Sequence, residues 1–493
     1  MLTRVLCALC TIGSKVKSQS FFNNNGLQQR RDLIFSPRQN NRDNGVFFRN
    51  SEQGLSSYDK YINDILNQRK AEALANNNKI TNVNINQING VQSIRPGSDE
   101  SPITSKPVRF VGVGKTDVEY LNNVTYAITN FGVNLMKSVN DLQTGNIIVS
   151  PTSIATVLAL LQQGVVGEAQ DEITRSLQMT PEVVAPTYRR LTYDMKKRNS
   201  RNILTVSNNV YIGDGFDINP EFKETAIINF GSEVTVMDFS RPVEAVKQIN
   251  KWISIQTHNK IDQLLPYHAV NPSTQLVIAN AVYFKGLWET KFRKEATKSL
   301  IFHLKNGEAK SAEFMRMRHS FKYGVDEETK SDIAILPFER HQYSLILILP
   351  HQLSNADKIL NSLTNIKLMS YHNFGETEIQ MEIPKFTIRS DTDIISVLKR
   401  MNVTRIFDRR TDLTGIGIYR TFSPEISQAL HTGFLSVDEQ GLSAAGAASL
   451  AAVALSYEDP PVIFQANRPF LAVLWDTQFA IPLFIAKIED PSQ

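Results

Sequence analysis

At Asp117 the chain changes texture, and that break decides how much of it can build a core. Residues 19–115 are rich in Asn, Gln, Ser and Arg, with clusters at Asn23-Asn24-Asn25, Asn40-Asn41 and Asn76-Asn77-Asn78. Such a composition cannot bury enough apolar surface to offset the entropy lost on ordering the backbone, so this extension is expected to be largely disordered. Within it Ile62, Ile65 and Leu66 fall at helical spacing, which reads as a transient amphipathic helix or as a partner-docking segment. Residues 1–115 hold sixteen Lys and Arg against eight Asp and Glu, so the net charge of +4 resolves into roughly +8 there and roughly −4 in the body, residues 116–493. By charge the body is not a nucleic-acid binder.

The first residues have their own pattern. Residues 1–4 make a cationic start and 5–13 an apolar run of about nine residues, followed by Val16-Lys17-Ser18. That is the layout of a secretory signal peptide, residues 1–18, cleaved after Ser18, with a mitochondrial-type start as the alternative. The run is too short to span a bilayer, and no later stretch reaches about 18 apolar residues, so no membrane span is expected. The only two cysteines, Cys7 and Cys10, lie in this run and would leave with it. A secreted, extracellular chain would then hold no thiol, which excludes thiol chemistry, a disulfide scaffold and a thiolate zinc site.

The body reads helices first and strands later. Apolar residues recur at helical spacing over 126–139, and Ser150-Pro151 supplies a cap and a first-turn proline for another helix. Strand-like runs follow at 204–212, 275–284, 343–349, 378–388, 461–464, 471–475 and 481–488. Without a regular βαβ alternation the fold class is α+β, with large antiparallel or mixed sheets. Two tempting motifs fail. Gly112-Val113-Gly114-Lys115-Thr116 lacks the first phosphate-loop glycine, because Arg109 stands there, and Gly441-Leu442-Ser443-Ala444-Ala445 has Ala where a nucleophile elbow needs Gly. The eight His residues are scattered, with no metal pair on a helix face. No cofactor and no metal are expected, and no catalytic set assembles, so the chain does not read as an enzyme.

Residues 442–456 carry no charge and no proline. Composition alone reads a buried Ala-rich helix. The flanks reverse that reading: Asp438-Glu439 ends a strand on one side, and Pro460-Pro461 breaks the chain before a new strand on the other. The surrounding motifs resemble the serpin family across the whole body. They are Asn146-Ile147-Ile148-Val149-Ser150-Pro151-Thr152-Ser153, Asn280-Ala281-Val282-Tyr283-Phe284-Lys285-Gly286-Leu287-Trp288, Glu382-Ile383-Pro384-Lys385-Phe386, Phe407 with Asp412-Leu413-Thr414-Gly415-Ile416, and Phe464-Gln465-Ala466-Asn467-Arg468-Pro469-Phe470, in that order. His431 stands seven residues before Asp438, as in the family.

The resemblance implies a serpin fold: three β-sheets, about nine helices and an exposed reactive-centre loop at about 439–463. It implies a serine-type endopeptidase inhibitor acting as a suicide substrate, in which a protease cleaves the loop, is held as an acyl-enzyme and is trapped as the loop inserts into the central sheet. By the family's spacing the reactive bond is Leu455–Ser456, with Ala454 and Tyr457 as fallbacks. Leu there suits the apolar pocket of a chymotrypsin- or elastase-like protease, where burying it is worth ~1.5–3 kcal/mol. The hinge would comprise Glu439, Gly441, Leu442, Ala444, Ala445, Gly446, Ala447 and Ala448. An inserting strand alternates its side chains, so Leu442, Ala444, Gly446, Ala448, Leu450 and Ala452 would face inward, with no charge buried and no ladder donor lost. Leu442, Ser443 and Ala448 depart from the residues usual in inhibitors, and the bulk of Leu442 would slow the first step. The alternative is a non-inhibitory serpin acting as a binding or carrier protein.

The resemblance also assigns Asn146, Ser150, Ser153, Asn280, Trp288 and His431 to the region where the central sheet opens. Ordinary caps and satisfied core polar groups are the plainer reading of the same residues. Arg189, Arg190, Lys196, Lys197, Arg198 and Arg201 lie on or just after a predicted helix that binds heparin in some members. They read either as a polyanion site or as a solvated charged face. Asn123 and Asn402 head Asn-x-Thr sequons and would be glycosylated in a secreted chain. The long Asn-rich extension resembles those of some insect serpins. That implies a monomeric extracellular inhibitor in a protease cascade of innate immunity, such as melanisation.

Overall fold

The structure is a computed structural model and describes residues 117–198, 201–353, 356–419, 425–439 and 461–492. The expected signal peptide, the Asn-rich extension with the helix expected within it, and residues 440–460 lie outside the described residues. Nine α-helices occur among those described: α1 (Asp117–Asn140), α2 (Pro151–Gln162), α3 (Glu168–Leu177), α4 (Pro181–Lys197), α5 (Pro220–Phe230), α6 (Pro242–Gln256), α7 (Ala356–Ser362), α8 (Asn365–Ser370) and α9 (Ile394–Arg400). The strands are β1 (Ile147–Val149), β2 (Ile203–Gly213), β3 (Phe216–Ile218), β4 (Glu233–Met237), β5 (Leu276–Lys285), β6 (Lys298–His303), β7 (Ala309–Asp326), β8 (Ser331–Pro337), β9 (Tyr343–Pro350), β10 (Glu376–Pro384), β11 (Phe386–Asp393), β12 (Gly417–Tyr419), β13 (Ile426–Val437), β14 (Val462–Gln465), β15 (Phe470–Asp476) and β16 (Ile481–Ile488).

They form three sheets. A five-stranded sheet runs β11-β13-β5-β2-β4, a nine-stranded one runs β1-β16-β15-β9-β8-β7-β10-β14 with β6 on β7, and β12 pairs with β3. The α+β expectation holds, and most of the expected strands appear within a residue or two. The run at 378–388 is the exception. It splits into β10 and β11, which belong to different sheets, because the β7–β10 ladder ends at Pro384↔Phe314 while Phe386 already pairs with Val437. The run does not reveal such a division, since burial continues through it, over Met381–Pro384 of β10 and on alternate residues of β11.

The central strand β5 shows how the core is layered. It is buried on both faces, as a near-continuous apolar run requires. Val277, Ala279 and Ala281 pack under α6, against Val246, Ile249 and Ile253. On the opposite face Leu276 and Ile278 meet the layer of α1 and α2, whereas Val282 and Phe284 meet the nine-stranded sheet. Every residue of α2 is buried, and the helix starts where the sequence indicated: the Ser150 side chain accepts from the Ser153 amide and Pro151 fills the first turn. Its amino terminus therefore points at the boundary between the two apolar layers.

Gly415 illustrates how closely the loops over this layer are packed. A Cβ there would sit 2.7 Å from the Gly164 carbonyl oxygen, backbone against backbone, where no side chain can yield. Gly415→Ala is expected to cost about 1–3 kcal/mol and to lower the thermal midpoint by a few degrees; an unchanged midpoint would show that the two loops separate freely.

Candidate functional site

β5 and β13 lie side by side and run parallel, from Ile426 against Leu276 to Leu435 against Phe284. At its far end β13 delivers the chain to Glu439, the last described residue before 461. A chain leaving that end and folding back would run antiparallel to β13 and hence also to β5. Entering between them, it would replace one parallel ladder with two antiparallel ones, the slightly more stable pairing per residue. Of the two parallel pairs in this sheet, β5–β13 and β2–β4, the seam between β5 and β13 is the one beside this chain exit.

Below the seam is a polar floor. Asn208 of β2, Asn280 of β5 and His431 of β13 are register partners and share the inner face, directly over the start of α2. The Ser150 amide donates to His431 Nε2 at 3.1 Å, so Nδ1 carries the ring proton and donates to Asn280 Oδ1. The Asn280 amide nitrogen donates to Ser153 Oγ at 2.6 Å and to Asn208 Oδ1 at 2.5 Å, and Ser153 Oγ donates to Asn208 Oδ1 at 3.2 Å. All five residues are buried. Burial pushes the His431 pKa down to about 3, so the ring is neutral, as its acceptor role requires. Asn208 was not singled out from sequence, although Ser207-Asn208-Asn209 in the middle of an apolar strand is the signal that could have found it.

At the upper end of the seam the chain is clamped as it leaves β13. Trp288 Nε1 donates to the Asp438 carbonyl at 2.8 Å while its ring stacks on Phe338 at 4.4 Å. The Glu439 carboxylate, 6% exposed, accepts from Thr297 Oγ1 at 2.8 Å and lies 3.4 Å from Lys385 Nζ. Burial alone would raise its pKa. The Glu439 amide, the Thr297 hydroxyl and the Lys385 ammonium outweigh burial and hold it below the ordinary value. An open polar cleft of about 550 Å³ lies beside this clamp, with Lys294, Ser436 and Glu439 among its walls.

The remaining sequence candidates fall elsewhere. Asn146 does not join the floor. It precedes β1, whose pairing with β16 sets it beside the chain end, where it binds the backbone of Glu489 and Asp490. Gly441, Leu442, Ala444, Ala445, Gly446, Ala447, Ala448 and the Leu455–Ser456 bond lie outside the described residues. Arg189, Arg190, Lys196 and Lys197 are exposed on α4. Arg198 does not belong with them: it turns inward, forms a bidentate pair with buried Asp476 at 2.5 and 3.1 Å, and lies over the Tyr343 and Phe479 rings. Arg201 pairs with Glu339 at 2.8 Å. Asn123 is half-buried in α1, with Thr125 of its sequon bonded to the Phe479 carbonyl, whereas Asn402 is exposed in the turn after α9. Among the described residues no group of three or more His, Cys, Asp or Glu could hold a metal, and no helix is long and apolar enough to cross a membrane.

Comparison with known proteins gives a family match over residues 126–491, to the serpin (serine protease inhibitor) family. The leukocyte elastase inhibitor of Equus caballus is 30% identical over 382 residues, covering 75% of this chain and all of that protein. The antitrypsin of Bombyx mori is 28% identical over 369 residues, 71% of this chain and 92% of that one. Among solved structures, Manduca sexta serpin-12 superposes with a TM-score of 0.69 at 42% identity, covering 74% of this chain and 99% of its own.

The floor and the clamp each generate a test. Because His431 is held below its ordinary value, its contribution is intact above about pH 6.5. It is lost by up to about 1.4 kcal/mol per pH unit as pH falls toward 3. His431→Gln should cost about 1–3 kcal/mol at pH 7.5 and flatten the fall in urea midpoint between pH 7.5 and 4.5. His372, held at about 4 by burial, contributes the same sign in both chains and cancels in the comparison. A variant with the parental pH slope would remove His431 as the acid-sensitive group. At the clamp, Glu439→Lys should cost about 2–3 kcal/mol by setting a second ammonium group against that of Lys385, and adding Lys385→Glu should restore part of it. An equal loss in the double variant would show that the pair is not what holds this end.

Proposed function

The chain belongs to the serpin family, and from that premise we propose that it inhibits serine proteases of chymotrypsin- or elastase-like specificity as a suicide substrate. The observation that carries the reading is the closed parallel seam in a five-stranded sheet, beside a chain exit that leads into an uncharged, proline-free stretch. In this reading the protease serine attacks the Leu455 carbonyl, an acyl ester forms, and the Ser456 amine leaves. The freed segment 440–455 then folds back into the seam, carrying the esterified protease with it. Loop insertion of this kind is itself the standard example of a segment that switches state by entering a sheet. Gains that the uncleaved chain cannot realise, two antiparallel ladders and buried alanines, drive the step.

The inward positions suit the seam. Ala444, Gly446 and Ala448 are small enough to cross a floor already filled by Asn280 and His431, and none brings a charge to it. Leu442 is the largest inward residue near the hinge. By slowing the first step it would let water hydrolyse some of the acyl-enzyme, so more than one inhibitor would be consumed per protease trapped. The non-inhibitory alternative, a binding or carrier protein, needs no insertion and would gain no large thermal stability when the loop is cut.

The setting proposed is extracellular, after removal of residues 1–18, in a protease cascade of innate immunity. A heparin-like polyanion is proposed as a second partner on α4. Arg189, Arg190, Lys196 and Lys197 are exposed there around Tyr193, whose ring lies 4.2 Å from Lys197 Nζ.

Mixing the purified chain with chymotrypsin, leukocyte-type elastase and trypsin should give, on a denaturing gel, a band at the summed mass with the first two proteases only. Leu455→Arg should move trapping to trypsin, and Leu442→Thr should lower the number of inhibitor molecules consumed per protease by a few-fold. Cleavage near Leu455 without the stable band would leave the chain a substrate and favour the carrier reading.

A further inference from the structure

The outer face of the seam is covered by chain, and the cover is fastened on both sides of it. After α6 the backbone turns through two left-handed residues, His258 (φ +52°) and Asn259 (φ +58°), and then crosses the sheet before β5 begins. Thr205, Tyr283, Phe434 and Arg389 are successive register partners on β2, β5, β13 and β11. The crossing chain follows this row. His258 Nε2 lies 3.5 Å from Thr205 Oγ1, with its ring 5.6 Å from that of Tyr283, which in turn lies 5.7 Å from Phe434. Five residues later the Gln263 carbonyl accepts a hydrogen bond from the Arg389 guanidinium, on the far side of β13. The strap therefore spans both strands of the seam, with one end on β2 and the other on β11.

Each end is braced. Asn250 of α6 accepts from the Leu264 and Leu265 amides at 3.0 and 2.9 Å and donates to the Leu265 carbonyl at 2.9 Å, which fixes the return of the strap. Arg389 is held in position by Asp391, two residues along the exposed face of β11, at 3.0 Å. Its side chain is 37% exposed, so the bond to Gln263 can open without exposing apolar core. The bond from Arg389 of β11 to the Gln263 carbonyl is the one that closes the strap over β13.

We infer that Arg389 is a positioning residue for strand insertion: its bond to the Gln263 carbonyl latches the strap across the β5–β13 seam, and releasing it is part of what insertion must do. The inference rests on the seam as the insertion site, the reading proposed above, but its test needs no protease.

A synthetic peptide of the sequence 442–453 is added to the intact chain, and annealing is followed by the fluorescence of a dye on the peptide and by native gel. Arg389→Ala should take up the peptide about three- to tenfold faster than the parent, the loss of one charge-assisted hydrogen bond. Arg389→Lys, which can still donate to the carbonyl, should fall between the two. Arg400→Ala is the control: it removes an exposed ion pair, to Asp141, that does not touch the strap, and should leave the rate unchanged. Equal rates in Arg389→Ala and the parent would overturn the latch. So would an equal acceleration in Arg400→Ala, which would mark general loosening, and so would uptake by neither chain, which would place the barrier elsewhere. Protease trapping by the same preparations is scored separately. A parent that anneals peptide but traps no protease removes the inhibitory reading and leaves the latch standing.

Discussion

The central sheet depends on one neutral imidazole. His431 accepts from the Ser150 amide on one ring nitrogen and donates to Asn280 on the other, which joins the start of α2 to the middle of β5 through the inner face of β13. Protonation would break the first of these bonds, since a charged ring has no acceptor to offer the Ser150 amide, while Nδ1 would go on donating to Asn280. The location explains why so polar a cluster is tolerated. It lies where the helical layer ends and the second sheet begins, so an apolar side chain there would fit neither layer, and the first-turn amides of α2 need partners. The cluster fixes the register of three strands at one level; a slip of one residue would turn all three polar side chains to the opposite face.

The same row makes the seam closed but not final. β5 and β13 satisfy each other's backbone groups, so nothing is orphaned in this state. They do so in parallel, however, and the chain leaving β13 is placed to offer both strands an antiparallel partner. The clamp of Trp288, Thr297 and Lys385 on Asp438 and Glu439 holds that chain at the rim. Because both Glu439 and Lys385 are satisfied there, the closed form needs no distortion elsewhere to persist. On the proposed insertion the barrier would be local: a few polar contacts at one end of the seam, a polar row beneath it and a strap above.

Much of this was legible in the sequence, and the exceptions are instructive. Ser150-Pro151 gave the start of α2, and the runs at 204–212 and 275–284 gave β2 and β5 nearly to their ends, because each is a local pattern. His431 and Asn280 were readable as a pair only through resemblance, since 151 positions separate them and no local pattern links them. Two errors share a cause. Arg198 read as one more surface cation because it follows two lysines, yet the carboxylate that draws it inward, Asp476, comes 278 positions later. Asn146 read as part of the floor because it sits four positions before Ser150, yet the three residues between them are an extended strand that carries it away. Composition and spacing describe neighbours along the chain. The partner that decides a charge or an amide is set by sheet register, which appears only once the strands are paired.

The two faces of the seam impose different demands on any strand that enters it. On the inner face it would pass over Asn280 and His431, where only small, uncharged side chains leave the network intact. On the outer face it would pass beneath the strap, between Tyr283 and Phe434, whose rings now touch. Separating those rings gives up an aromatic contact of about 0.5–1.5 kcal/mol, and the strap must rise by the thickness of a strand's side chains. Alanine on both faces minimises both displacements at once, which is why a segment of alternating Ala, Gly and Ser is better suited to this seam than the branched residues that favour ordinary strands. The cost is weak intrinsic β-propensity, so such a segment gains little from forming a strand anywhere else. Its low propensity outside the seam and its fit within it are the same property of its side chains.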